Sequence, residues 1–203
     1  MTHVTSPGTI DHGRHRPRSE RRTRALDAFI DLTLERGAHP RPEEVAERAD
    51  VSIASLYRYF SDLDELRRDA VARLAERYPA LFTISRIGTG DRRTRIASFT
   101  TARLALHETL HPLELLARAA GRRDLSARRH VDAIRSAMSD QIRRHFDAEL
   151  QTLGPARRDD IVATIAVLTS VEAWEQFRHS HDRTPAQTRR AWNDAIDRIL
   201  PVE

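Results

Sequence analysis

The chain has 203 residues, a formal net charge of +4 and no cysteine. It is long enough to bury a sizeable core in one or two small domains, and the absence of cysteine excludes disulfides and thiol chemistry. Neither a run of about 18 apolar residues nor the apolar centre of a signal peptide is present, so we expect a cytoplasmic protein without membrane contacts.

Positive charge is concentrated near the N-terminus. Residues 14–24, RHRPRSERRTR, are rich in arginine and contain one acidic residue, and the preceding segment shows no apolar periodicity. We therefore predict a disordered basic arm over residues 1–19. Such an arm can reach the DNA backbone or minor groove, although a merely solubilising tail is the alternative. Its candidate DNA contacts are Arg16, Arg18, Arg21 and Arg22.

A helix is predicted from Glu20 to Arg36, with Gly37 as its C-terminal stop. Residues 41–60 then have the pattern of two short helices joined by a tight turn. Pro42 can start the first of them, because a proline lacks only an N–H that would have no partner there. Ser52 can cap the second.

The second short helix holds most of the side chains that could contact DNA. Ile53, Leu56 and Phe60 are predicted to face inward, and hydroxyl, guanidinium and phenol groups are predicted to face outward. A short capped helix of this kind suits the major groove of B-DNA, so we predict a helix-turn-helix. The candidate DNA contacts are Ser52, Ile53, Ala54, Ser55, Tyr57, Arg58 and Tyr59. For the two tyrosines, packing within the domain is the alternative.

The rest of the chain also has helical character, which predicts an all-α fold. A fourth helix is expected from Asp62 to Tyr78, followed by a linker. Further helices are expected at about 91–110, 112–120, 126–152, 156–180 and 185–200. We expect a DNA-binding domain over 20–67 and a helical C-terminal domain, for ligand binding and dimerisation, over 68–203.

The run VAERADVSIASLYRYFSDLDEL resembles the DNA-binding signature of the tetracycline-repressor (TetR) family of bacterial transcription regulators. Asp50 stands where the family usually has glycine, and Leu63 where it usually has a lysine that contacts phosphate. The matching positions are Val45, Ala46, Ala49, Val51, Ser52, Leu56, Tyr57, Phe60 and Leu66.

This resemblance implies a repressor, not an enzyme. Such a repressor would need no cofactor, would bind a near-palindromic operator in double-stranded DNA as a homodimer, and would be released by a small molecule. Apolar stripes in the last two long segments are the predicted dimer interface, with an intramolecular core as the alternative. The predicted interface residues are Ile161, Ile165, Leu168, Trp192 and Ile196. The candidate lining of a ligand pocket is Phe99, His107, Met138, Phe146 and Trp174.

A rival function comes from a short motif. The residues His107-Glu108-Thr109-Leu110-His111 match H-E-x-x-H, the pattern of zinc-dependent hydrolases. We predict no metal site, because Pro112 is expected to disturb the helix at the second ligand and no third ligand is apparent.

Overall fold

The computed structural model describes residues 17–122 and 124–201 and shows an all-α protein. Over that part of the chain no strand is present. Pro79–Phe82 form a 3₁₀ turn and Gln176–Ser180 a π-helical turn. The α-helices are α1 (Arg18–Arg36), α2 (Pro42–Ala49), α3 (Ile53–Tyr59), α4 (Leu63–Arg77), α5 (Arg92–Gly121), α6 (Leu125–His145), α7 (Asp147–Leu150), α8 (Pro155–Leu168), α9 (Val171–Glu175) and α10 (Pro185–Ile199).

The first hydrophobic core joins α1 to α4 with the middle of α5. Phe29 and Ile30 of α1, Leu56 of α3 and Leu66 of α4 are almost completely buried in it. Leu106, Leu110 and Leu113 of α5 belong to the same core. The first three helices therefore do not pack in isolation, because α5 closes their open side. The expected domain division at residue 67 stays a prediction.

Local chemistry fixes the turn before α3. Asp50 has φ 55° and ψ 50°, the left-handed conformation that the usual glycine would adopt. Aspartate tolerates this region better than most residues. Ser52 then caps α3, since its Oγ accepts a hydrogen bond from the Ser55 N–H at 3.1 Å.

A second core holds the C-terminal helices together. Phe99 of α5, Ile142 and Phe146 around the end of α6, Ile165 of α8 and Ile196 of α10 are buried there. The helices α5 and α6 run along each other, while α8 and α10 close the far side. The tertiary contacts of α5 thus connect the two cores.

Several predicted helix boundaries are wrong, and one of them is the end of the helix expected over 126–152, which stops at His145 before the separate α7. Helix α5 continues through Pro112, where a break was expected. An internal proline costs a helix about 3 kcal/mol, and the fully buried Leu110 and Leu113 on either side outweigh that cost. The expected helix over 156–180 instead ends at Leu168 and restarts at Val171, with Ser170 as the new N-cap.

None of the helices in the described ranges is long and apolar enough to cross a membrane.

Candidate nucleic-acid interface and buried cavity

Helix α3 presents a continuous polar and aromatic face to solvent. Tyr57 is 51% exposed, and Ser52, Ala54 and Arg58 are also exposed, whereas Ser55 is half-buried. The Arg58 guanidinium donates to Ser55 Oγ at 3.2 Å, and the Ser55 and Ser52 hydroxyls lie 3.0 Å apart. These groups can donate hydrogen bonds to phosphate or to base edges.

The predicted orientation of two residues on α3 is wrong. Ile53, predicted to face inward, is 38% exposed at the start of the helix. Tyr59, predicted to face outward, is only 6% exposed and belongs to the first core. Burial acts to raise the pKa of Tyr59, but the neighbouring Arg58 and Arg21 guanidinium groups outweigh it and lower that pKa. The packing alternative therefore holds for the Tyr59 ring.

The predicted arm residues differ in their surroundings. Arg16 lies outside the described residues. Arg18 is already part of α1, which starts two residues before the expected position, and its Nη2 donates to the Arg58 carbonyl oxygen at 2.9 Å. Arg22 forms ion pairs with Asp69 and Glu65 and lies over the Phe60 ring. Arg22 thus ties α1 to α4, and its charge is largely neutralised within the chain.

Most of the predicted dimer-interface side chains are buried within this chain, so that prediction is wrong for them. Ile161, Ile165 and Ile196 belong to the second core, and Leu168 is half-buried against it. Trp192 is completely buried, with its ring edge-on to that of His107. The intramolecular alternative accounts for the apolar stripes of α8 and α10.

The H-E-x-x-H side chains are engaged in contacts within the chain. His107 Nε2 lies 3.0 Å from the Thr169 carbonyl oxygen, and Glu108 accepts hydrogen bonds from Trp174 Nε1 at 3.1 Å and Arg178 Nε at 2.7 Å. His111 is helical, although Pro112 was expected to prevent this. Within the described ranges, no group of histidine, cysteine and carboxylate side chains is arranged to hold a metal ion.

A cavity of about 520 Å³ lies between α5, α6 and the junction of α8 with α9. His107 and Met138 of the predicted lining are among the residues around this cavity, whereas Phe99, Phe146 and Trp174 are not. Its apolar walls come mainly from Ala117, Val131, Ile134, Met138, Ile142, Ala166 and Val171.

Polar groups are found at two places in the cavity. At its inner end Arg103 and the His107–Glu114 pair line the wall, and the Arg103 side chain is buried. Burial lowers the pKa of Arg103 to about 10, an effect that the nearby Glu114 partly opposes. At the rim, Arg135 of α6 forms an ion pair with Glu172 of α9 at 2.8 Å.

The sequence analysis missed Arg103 and Glu114. A signal was available for Arg103, because Phe99, Arg103 and His107 recur every four residues along α5 and so share its buried face. A charged residue at a core-facing position indicates a polar site within the domain.

A smaller cavity of about 200 Å³ lies between α1 and α4 on one side and α5 and α6 on the other. Ala117 and Val131 line both cavities, which places the two next to each other. Across this boundary Arg68 of α4 forms an ion pair at 2.9 Å with Asp124, the N-cap of α6. The helix-turn-helix and the large cavity are thus physically connected.

Comparison with known proteins supports this architecture. The chain is 32% identical over 147 residues to the HTH-type transcriptional repressor KstR of Mycolicibacterium smegmatis (strain ATCC 700084 / mc(2)155), an alignment that covers 71% of each chain. No family model matches the chain.

Solved structures share the fold. A tetR-family transcriptional regulator from Streptomyces coelicolor superposes with a TM-score of 0.74 at 20% identity, over 89% of this chain and 80% of the other. The multidrug binding protein EbrR complexed with ethidium superposes with a TM-score of 0.54 at 22% identity, over 93% and 100% of the two chains.

Proposed function

Because this chain belongs to the TetR family of DNA-binding transcriptional regulators, we propose that it represses transcription by binding a near-palindromic operator as a homodimer, and that a small molecule in the large cavity releases it. The observation that carries the proposal is the exposed face of α3, whose side chains offer hydrogen-bond donors to DNA. The large cavity is connected to the part of the chain that holds α3. The repressor role agrees with the relative KstR.

Helix α3 enters the major groove in this proposal. Tyr57 donates to a phosphate oxygen, and Arg58 reaches a guanine edge after leaving Ser55. Ile53 and Ala54 contact bases near the helix start, while Ser52 and Ser55 contact phosphates. Tyr59 holds the end of α3 in place rather than touching DNA, because its ring is buried. The arginines of the N-terminal arm add sequence-independent contacts to the backbone.

A two-fold operator requires a two-fold protein, and α8 offers a surface for it. Asp160, Ala163, Thr164 and Val167 are exposed and follow one another at the spacing of a single helix face. Val167 is 70% exposed, which is unusual for a large apolar side chain. On α10, the half-buried Ala191 and Ala195 are short enough to admit the partner's helix. We infer that these faces form the dimer interface.

Release by a ligand follows from the contacts between the two parts of the chain. The walls of the large cavity include α6, whose N-cap Asp124 binds Arg68 of α4. A ligand that moves α6 relative to α5 therefore displaces α4 and changes the spacing of the two α3 helices in a dimer. Binding of ethidium by the structurally similar EbrR supports a small-molecule role for this fold.

Selection of genomic DNA fragments by the full-length protein tests the proposal. The expected result is an enriched, near-palindromic site bound by two subunits, with an affinity that falls steeply as salt rises. A version without residues 1–16, which lacks Arg14 and Arg16, should bind the same site with a shallower salt dependence. Failure to enrich any sequence would refute the proposed operator binding.

A further inference from the structure

Arg103 is a buried cation without a carboxylate partner in the described part of the chain. Its Nη2 donates to two neutral oxygens, the Met138 carbonyl at 3.2 Å and Gln141 Oε1 at 3.3 Å, and the guanidinium lies 5.3 Å from the centre of the Phe99 ring. The residue is only 4% exposed, yet it lines the large cavity. An unpaired buried charge is costly, so a folded chain that keeps one leaves an anion site open.

Glu114, the carboxylate that lines the inner end of the cavity, is held by His107. His107 Nε2 must carry a hydrogen, because the Thr169 carbonyl oxygen at 3.0 Å can only accept. The opposite nitrogen, Nδ1, lies 2.9 and 3.0 Å from the two carboxylate oxygens of Glu114. The Glu114 carboxylate is therefore engaged by His107 and not by Arg103. Among the described residues Arg103 thus has no carboxylate at hydrogen-bonding distance, and the charge of Glu114 acts on it only from farther away.

The remainder of the cavity favours an apolar molecule. Between Arg103 and the rim, aliphatic side chains of α5, α6 and α8 form the walls. The rim cations are already paired, Arg135 with Glu172 and Arg118 with Glu175. They compete less for an anion than Arg103 does, because an exposed ion pair is screened by water.

We propose that the cavity binds an amphipathic anion, with an apolar body between α5 and α6 and an acidic head group hydrogen-bonded to the Arg103 guanidinium. This inference rests on the proposed function, in which the cavity takes a small-molecule effector. A carboxylate or sulfonate satisfies the two-pronged donor geometry of arginine and compensates its buried charge. A neutral apolar molecule fills the same walls but leaves that charge unpaired.

Two fluorescent probes of nearly equal shape test the proposal. Anilinonaphthalene sulfonate carries a sulfonate that is absent from N-phenylnaphthylamine. The wild-type protein should bind one sulfonate probe per subunit, in competition with the neutral probe and about tenfold or more tightly, as expected for charge-assisted hydrogen bonds. Equal affinity for the two probes in the wild type would overturn the proposal without reference to any variant.

Variants locate the anion. In Arg103→Met the preference for the sulfonate probe should disappear while affinity for the neutral probe is kept, and Arg103→Lys should retain part of the preference. The matched control Arg135→Met, at the rim, should change either affinity by no more than about threefold. If Arg103→Met fails to fold, Arg103→Gln keeps a donor for Met138 and Gln141 without the charge. An unchanged preference in a folded neutral variant would overturn the assignment.

Operator binding of the same ligand-free proteins is measured separately. A wild-type protein that binds its operator but shows no preference for the sulfonate probe refutes the anion site alone. A wild-type protein that binds no operator refutes the proposed function, whereas its probe preference still reports on the cavity.

Discussion

Arg58 and Ser55 are hydrogen-bonded to each other on the outward face of α3, with Arg58 Nη2 3.2 Å from Ser55 Oγ. At the same time the Arg58 carbonyl oxygen accepts from Arg18 of α1 at 2.9 Å. The backbone at the end of α3 is therefore held by α1, while the Arg58 guanidinium contacts the Ser55 hydroxyl and lies 5.7 Å from the centre of the Tyr59 ring. In the proposed DNA complex, restraints this weak would let the guanidinium move to a stronger partner on DNA.

Arg58→Ala should relax the preference at one base pair in each half-site. A paired hydrogen bond from arginine to a guanine edge contributes about 1–3 kcal/mol of discrimination, and that contribution is lost in the variant. Selection from randomised operators measures the effect. If Arg58 contacts phosphate instead, affinity falls uniformly and the salt slope drops by about one. Tyr57→Phe is the control, and it should weaken binding to all sequences alike.

Ala163→Arg should convert the proposed dimer into monomers. The substitution places a long charged side chain on the exposed face of α8, where burial against a second subunit without a partner costs several kcal/mol. Ala137→Arg is the matched control, because Ala137 is also exposed on a helix, α6, outside this face. Light scattering at micromolar concentration reports the mass. A wild-type monomer under these conditions would contradict the interface.

Stability should fall as the pH drops below about 6.5. His145 is completely buried, and burial lowers its pKa below the ordinary value of 6.5. Its Nδ1 accepts from the Gly88 N–H at 3.1 Å and its Nε2 lies 2.8 Å from the Arg95 carbonyl oxygen, so the neutral form fits its surroundings. Neighbouring Arg95 opposes protonation through its charge, and Glu149 favours it.

The direction of this stability change depends on which state, folded or unfolded, binds the proton more readily. The unfolded chain takes it up near pH 6.5, whereas the folded protein does so only at lower pH, so the stabilisation is complete above 6.5 and is lost on acidification. One such group changes the free energy of unfolding by at most about 1.4 kcal/mol per pH unit. His111, whose pKa burial also lowers, adds to it. Urea unfolding measured at several pH values should show that the free energy of unfolding depends less on pH in His145→Gln than in the wild type. An unaltered pH dependence would contradict this account.

Glu108→Gln should lower the melting temperature and leave operator binding intact. The carboxylate accepts hydrogen bonds from Trp174 and Arg178 and so joins α5 to α9 and to the π-helical turn. Replacing this charged acceptor should lower the free energy of unfolding by about 1 kcal/mol at this half-exposed position.

A metal chelator should not change operator affinity, because His107 Nε2 is already bound to Thr169. Chelator-sensitive peptide hydrolysis would instead support the rival zinc function.

The helix-turn-helix was predictable because its signals are local. The capping by Ser52 and the left-handed turn at Asp50 depend on a few adjacent residues, and both occur where the sequence indicates. The orientation of Tyr59 was not predictable, since α3 is so short that Ile53 and Tyr59 both lie at its ends, where periodicity decides little. The Tyr59 ring packs into the first core, and the Arg18 guanidinium from α1 lies 6.0 Å from its centre.

Long-range features escaped the sequence for a different reason. The apolar stripes with Ile165 and Ile196 show that these faces are buried, but periodicity does not reveal whether the partner is the same chain or another copy. The cavity depends on gaps between α5, α6 and α8, which no pattern in one helix records. The continuation of helix α5 through Pro112 likewise depends on packing around Leu110 and Leu113 rather than on local helix propensity.

Helix α5 supplies Leu106, Leu110 and Leu113 to one core and Phe99 to the other. Neither core can lose its order without exposing part of the helix that stabilises the second. The chain should consequently melt in one cooperative step, despite its two-part architecture, and ligand occupancy should raise the melting temperature of the helix-turn-helix as much as that of the cavity walls. In the proposed function, binding of the effector should therefore also protect α3 from proteolysis, even while the protein is detached from DNA.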